Sequence, residues 1–211
     1  MKAIFWDNDG VLVDTERFYF EASRAALHRL GVDFDEAIYV AHCLGTGASC
    51  FDLARRIGIA EPVIDAARAA RDAHYGELIE QVELIPGVRD TLQSLHGRVP
   101  MAVVTSSQPH HFAVQHARTD VLHYFDFVLT SADYDRHKPD PEPYLTAAAR
   151  LGVAPADCLV IEDSERGLAA AQRAGMRCVV IPRWLSGGGD FAAAWRVLPE
   201  IARVPELLAD W

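Results

Sequence analysis

Apolar residues along the chain follow two patterns: short unbroken runs, and longer stretches with apolar positions at helical spacing. The unbroken runs "KAIFWD" (2–7), "PMAVVTS" (100–106), "FDFVLTS" (125–131), "DCLVIED" (157–163) and "RCVVIP" (177–182) predict strands buried on both faces. Single helices are predicted between the later strands, in "HHFAVQHART", "PEPYLTAAARLG" and "SERGLAAAQRAG", and Gly152 and Gly175 are placed to end the last two. Strands alternating with helices predict an α/β fold, a doubly wound, mostly parallel Rossmann-like sheet with right-handed crossovers. The first interval breaks this rhythm. About 90 residues separate the first strand from the second, where a crossover needs only a few dozen. That interval reads as helices in "ERFYFEASRAALHRLG", "CFDLARRIG" and "AEPVIDAARAARDAHYGELIEQV". "LIPGVRDTLQSLHG" then resumes the core, with Pro86 placed to start a helix and Gly97 to stop it. The expected organisation is a core of residues 1–15 and 84–211 with a helical subdomain, 16–83, inserted after the first strand. The tail "VLPEIARVPELLADW" reads as an amphipathic helix, interrupted at Pro199 and Pro205, that packs on the core.

With half of its residues hydrophobic, the 211-residue chain can fill one good core and a smaller appendage. No apolar run approaches the roughly 18 residues that span a bilayer, and acidic residues begin at position 7, too early for a signal peptide. A cytoplasmic protein is expected. The scattered Cys43, Cys50, Cys158 and Cys178 read as reduced, structural thiols. A net charge of -10 argues against nucleic-acid or anionic-membrane partners, which need a basic face. It also makes any anionic substrate depend on local cations.

Negative charge is concentrated where it changes the picture. In an open parallel sheet ligands collect beyond the carboxyl ends of the strands, and there the first strand carries Asp7 and Asp9 and the fourth Glu162 and Asp163. Carboxylates meeting at one edge repel unless a cation neutralises them, and oxygen-only donors favour a hard ion such as Mg²⁺. "TSS" after the second strand offers hydroxyls and backbone N–H groups to phosphate oxygens, and Lys138 follows the third strand on the same edge in a loop stiffened by prolines. "SGGGDF" (186–191) lacks the Lys-Ser/Thr of a phosphate loop and reads as a mobile surface loop. His110 and His111 read as a solvated helix start near this edge.

The stretches "DNDGVLVDTE", "VVTSS", "KPDPEPY" and "VIEDSERGLAAAQRAGM" resemble the four motifs of the haloacid dehalogenase superfamily, in its phosphatase branch with a helical cap. Within it the chain is similar to β-phosphoglucomutase-like and phosphoglycolate-phosphatase-like proteins. The resemblance implies a Mg²⁺-dependent phosphatase that hydrolyses a small phosphorylated metabolite through an aspartyl phosphate. By it Asp7 is the nucleophile and Asp9 the general acid/base. Metal ligands would be Asp7, the Asp9 carbonyl and Asp163, with Glu162 a further ligand or an acceptor behind them. Lys138 would be a point charge between Asp7 and phosphate, Thr105 a hydroxyl donor with backbone help from Ser106, and Gly10 a turn that leaves phosphate uncrowded.

The inserted segment 16–83 would be a movable cap whose closure completes the site, with His42, Thr46 and Ser49 of "AHCLGTGASC" as candidate substrate contacts. That loop lacks the basic residues that would grip a second phosphate, which favours a phosphatase over a β-phosphoglucomutase-like mutase. Asp9 argues against dehalogenation, because a halide leaves without a proton. A catalytically silent binding protein on the same scaffold is the alternative from another class. The partner expected is a small phosphorylated metabolite, and the protein a monomer or weak homodimer.

Overall fold

The computed structural model describes residues 1–44, 46, 48–183 and 186–209. Its sheet has six parallel strands: β1 (Ala3–Trp6), β2 (Met101–Val104), β3 (Phe127–Leu129), β4 (Cys158–Glu162), β5 (Arg177–Val180) and β6 (Arg196–Val197), in the order β3-β2-β1-β4-β5-β6. Helices α1 (Glu16–Arg29), α2 (Glu36–Ile38), α3 (Asp52–Arg56) and α4 (Glu61–Leu78) belong to the inserted segment. Helices α5 (Val88–Leu95), α6 (Pro109–His116), α7 (Glu142–Leu151) and α8 (Glu165–Arg173) flank the sheet. The chain divides into two compact units, Met1–Asp14 with Glu83–Trp211, and Thr15–Val82.

Strand alternation explains the core. Ile4, Trp6, Met101, Val103, Leu159, Ile161 and Val179 turn to one face, where Val88, Leu92 and Leu95 of α5 and Phe112 of α6 cover them. Ala3, Phe5, Ala102, Val104, Cys158, Val160 and Cys178 turn to the other, under Tyr144, Ala147 and Ala148 of α7 and Leu168, Ala170 and Ala171 of α8. Alanine on those two helices brings their backbones close to the sheet. This matters because both helices carry side chains that reach the sheet's carboxyl edge. The four cysteines are free thiols.

In the inserted unit α1 and α4 pack on each other. Phe20, Phe34 and Tyr39 form an aromatic cluster, and Arg71 lies buried over the Tyr19 ring at 4.6 Å with its Nε donating to Asp72 (2.7 Å). No described helix is long and apolar enough to cross a membrane.

Several elements differ from the sequence expectation. The pattern missed β6, a two-residue exposed edge strand too short to show a period, and a π-helical turn over Tyr39–Leu44 within "YVAHCL". The third predicted helix ends at Leu78 and tightens into a 3₁₀ turn, Ile79–Gln81. The tail is a 3₁₀ helix, Ile201–Ala209, that buries Ile201, Val204 and Leu207 against α5's face of the sheet. Asp210 and Trp211 of that predicted segment lie outside the described residues, as do Gly45 and Gly47 of "AHCLGTGASC".

Candidate active site

Three neighbouring strands deliver the site. Asp7, Thr105 and Asp163 each stand one residue beyond β1, β2 and β4, and sheet hydrogen bonding continues through Asp7 N to Ile161 O (2.9 Å) and Thr105 N to Leu129 O (2.9 Å). Beyond Asp7 the chain turns tightly, with the N–H groups of Val11, Leu12 and Val13 all directed at the Asn8 carbonyl. Gly10 makes this turn possible: its φ is +83°, and a Cβ there would overlap the Asp163 carboxylate.

A buried cation sits between the acids. Lys138, 5% exposed, spends its three ammonium hydrogens on Asp7 Oδ1 (2.7 Å), Glu162 Oε1 (2.7 Å) and Val104 O (2.9 Å), and its ammonium lies 4.8 Å from the centre of the Tyr144 ring. Arg166 and Arg173 of α8 hold the loop in place by donating to the carbonyls of Lys138 (2.6 Å) and Pro139 (2.7 Å). Burial works against the Lys138 charge, but Asp7 and Glu162 outweigh it and raise the ammonium above its ordinary value. Asp7, Glu162 and Asp163 offer carboxylate oxygens that all lie within 4.8 Å of one another. One ammonium cannot neutralise three carboxylates. Glu162 gets the larger share: burial alone would raise it, yet Lys138, Tyr144 and Ser164 together hold it below its usual value. For Asp7 the balance is reversed. Burial pushes its carboxyl up to about 8, Lys138 opposes, and the charges of Glu162 and Asp9 add to the rise.

These residues fit a divalent cation. The donors are all oxygen, the site carries surplus negative charge, and the Gly10 turn leaves room beside Asp163. Glu162, however, is fully buried, and its two oxygens accept from Lys138, Tyr144 Oη (2.6 Å), Ser164 Oγ (3.0 Å) and Asp163 N (3.2 Å). It is therefore an acceptor behind the site, and Asp7 and Asp163 are the side chains available to a metal. The pocket for Glu162 explains a glycine inside a helix. A Cβ at Gly167 would overlap the Glu162 carboxylate, which four donors prevent from moving aside. Gly167→Ala is expected to destabilise the protein by about 2 kcal/mol, as overpacking does. A denaturation midpoint equal to wild type would show that Glu162 is not fixed there.

Asp9 is held quite differently. Its Oδ2 accepts from Ser107 Oγ (2.7 Å), Thr105 Oγ1 (3.1 Å) and Asn8 Nδ2 (3.2 Å), and its Oδ1 from Gln115 Nε2 (3.1 Å). Its side chain is thus turned to hydroxyls and amides, and the metal ligand expected of this residue is its backbone carbonyl. The Thr105 hydroxyl, expected on phosphate, here donates to Asp9 and accepts from Ser107 N (3.0 Å). Ser106 is exposed, and Ser107 is the residue of "TSS" whose hydroxyl joins the site. Ser186 of the "SGGG" loop donates to Asp163 Oδ2 (3.1 Å), so that loop is tied to the acidic cluster at its first residue. His42, Thr46 and Ser49 are brought together in the inserted unit: Thr46 donates to His42 O, and His42 Nε2 lies 3.1 Å from Ser49 O. Residues missed from the sequence are Asn8, Ser107, Gln115, His116 and Tyr144. For Gln115 and His116 a signal existed, since both lie on the same face of α6 as buried Phe112, where apolar residues belong.

The fold and site together are thus a parallel α/β sheet that carries two aspartates in contrasting settings beyond its first strand, with a buried lysine against one of them. The haloacid dehalogenase-like hydrolase family model matches residues 4–181, and the chain belongs to that family. It is 34% identical to the fructose-1-phosphate phosphatase YqaB of Escherichia coli, over 83% of this chain and 94% of that one. It is 33% identical to a phosphorylated carbohydrates phosphatase of Thermotoga maritima, over 83% and 82% of the two chains. The structure of CbbY from Rhodobacter sphaeroides, solved with phosphate, superposes with a TM-score of 0.78 at 26% identity, covering 97% of this chain and 96% of that one. The protein is an enzyme, a phosphoric monoester hydrolase of this family.

Proposed function

We propose that the enzyme is a Mg²⁺-dependent phosphatase of small phosphorylated carbohydrates that works through an aspartyl phosphate on Asp7. The observation that carries this reading is the contrast between its two aspartates: Asp7 against Lys138 and the acidic cluster, Asp9 among neutral donors. A carboxylate that attacks phosphorus must be ionised and close to positive charge, whereas one that carries a proton must be able to hold it in either state. Lys138 joined by a bound cation would hold Asp7 ionised against the burial that raises it, and Asp9, turned to hydroxyls and amides, is left to carry the proton. Asp7 attacks phosphorus in line and the sugar oxygen departs with a proton from Asp9. Asp9 then takes a proton from the water that hydrolyses the acyl phosphate. Lys138 holds Asp7 in line, and Gly10 leaves the Asp163 carboxylate its place beside the turn. Asp7, Asp163 and the Asp9 carbonyl would hold a Mg²⁺, which supplies the positive charge that the phosphate oxygens and Asp7 lack. The inserted helical unit is read as the cap, with His42, Thr46 and Ser49 as candidate selectors of the leaving group. The relatives' names support the sugar class.

The test is release of inorganic phosphate from fructose 1-phosphate and other hexose phosphates, with and without chelator. Chelation should abolish release, Mg²⁺ should restore it, and Ca²⁺ should inhibit because its longer, more numerous bonds can take both Asp7 oxygens. Full activity in excess chelator would remove the metal from the reading. Rapid conversion of glucose 1-phosphate to glucose 6-phosphate, with little free phosphate, would replace the phosphatase by a mutase.

A further inference from the structure

Asp9 is oriented by a chain of neutral groups that begins on α6, on the face of the sheet opposite α7. The hydrogen-bond directions can be assigned without ambiguity. Asn8 Nδ2 faces two acceptors, Gln115 Oε1 (2.7 Å) and Asp9 Oδ2 (3.2 Å), so both amide hydrogens point outward and Asn8 Oδ1 is an acceptor. His116 Nε2, 2.7 Å from that oxygen, must carry the hydrogen. In the neutral ring Nδ1 is then a lone pair facing Thr119 Oγ1 (2.8 Å), whose hydrogen is shared with the His116 carbonyl (3.4 Å). Burial favours this neutral imidazole, pushing the ring down to about 4 although Asp9 pulls the other way. Arg89 of α5 anchors the far end by donating to the Thr119 carbonyl (2.5 Å). Every bond from Thr119 through His116 and Asn8 donates toward Asp9, and bonds aligned in one direction reinforce one another. The Gln115 amide closes the arrangement: its oxygen accepts from Asn8, and its nitrogen donates to the second Asp9 oxygen.

We infer that Gln115 and His116 are positioning residues for the proton-transfer step, Gln115 acting on Asp9 directly and His116 through Asn8. A buried Asn8, Gln115 and His116 would be poor core choices if packing were their only task, since each has polar atoms needing partners. Here Asn8 and Gln115 both donate to Asp9, and His116 donates to Asn8. The inference rests on the reading of Asp9 as general acid/base, and the experiment separates the two.

Proton delivery matters for a sugar alkoxide and little for 4-nitrophenolate, which leaves unaided. Steady-state kinetics are measured on fructose 1-phosphate and 4-nitrophenyl phosphate for wild type, Asp9→Asn, Gln115→Leu, His116→Leu and His116→Gln. Gln115→Leu and His116→Leu should lower kcat/KM on the sugar ester at least about tenfold and alter kcat/KM for 4-nitrophenyl phosphate less than about threefold, because kcat/KM stops at departure of the leaving group, before the hydrolysis in which Asp9 serves both substrates alike. His116→Gln should recover most of the loss, because its amide can donate to Asn8 Oδ1. Equal losses of kcat/KM on both substrates, or none, would overturn the inference and leave His116 and Gln115 as core residues. If the leucine variants do not fold, the isosteric Gln115→Glu decides: a carboxylate turned on Asp9 should give the same selective loss, and its absence would count against the proposal. Should Asp9→Asn itself lower kcat/KM equally on both substrates, the assignment of Asp9 as the acid fails and the inference with it. A selective loss in Asp9→Asn alone overturns only the inference.

Discussion

Asp7→Asn is expected to abolish turnover and, without metal, to leave the protein at least as stable as wild type. The two effects have one origin. Asp7 is buried among like charges, with one ammonium shared between it and Glu162, and burial lifts its carboxyl to about 8. A carboxyl raised in the folded state above its unfolded value costs stability at every pH above the unfolded value, because folding must then either take up a proton or bury the charge, so at neutral pH Asp7 opposes folding. Replacing it by a neutral amide of the same size removes that cost and should stabilise the metal-free protein by about 1 kcal/mol or more. The same change deletes the nucleophile and one metal oxygen, so turnover should fall beyond detection and Mg²⁺ should no longer raise the melting temperature. Thermal unfolding of both proteins with and without Mg²⁺ tests this directly. A less stable, still active Asp7→Asn would contradict both the electrostatic account and the assignment of the nucleophile.

How far the sequence revealed this arrangement depended on which physical signal each residue carries. Strands β1, β2, β4 and β5 were legible because parallel strands buried on both faces read as unbroken apolar runs, and their ends named Asp7, Thr105, Glu162 and Asp163. β6 was not, because Arg196 and Val197 are exposed and pair only through backbone atoms. Within the site, what a strand end supplies could be read, but what approaches from a flanking helix could not. Tyr144 on α7 and Gln115 and His116 on α6 reach Glu162, Asp9 and Asn8 only once the helices lie on the sheet at a definite rotation. Gly167 carried a readable anomaly, a glycine inside a helix, but its cause is the Glu162 carboxylate beneath it. "SGGG" was legible as a loop, yet the reach of Ser186 to Asp163 depends on where β5 ends.

Lys138→Met should be the most destabilising single change in the core, and its rescue should be specific. The lysine is buried, and its removal leaves Asp7 and Glu162 facing each other with no cation, Glu162 being fully buried. Deleting one partner of a buried ion pair typically costs about 3–5 kcal/mol, because the remaining charge is uncompensated. The Val104 carbonyl also loses its donor. Methionine preserves most of the volume, so a loss of that size cannot be assigned to a cavity. If the uncompensated charge is the cause, adding Glu162→Gln to Lys138→Met should recover a large part of the stability. The amide oxygen can still accept from Tyr144 and the amide nitrogen can donate to Ser164 Oγ, while the side chain brings no charge. Activity should not return, since Asp7 has lost the cation that holds it in line. Urea denaturation of the single and double variants, with phosphate release measured on each, decides the matter. Recovery of stability without turnover assigns Lys138 both a structural and a catalytic charge. If the double variant were less stable than Lys138→Met, then packing and not electrostatics would hold this corner of the sheet together, and the reading of Lys138 as the counter-charge of the site would have to be abandoned.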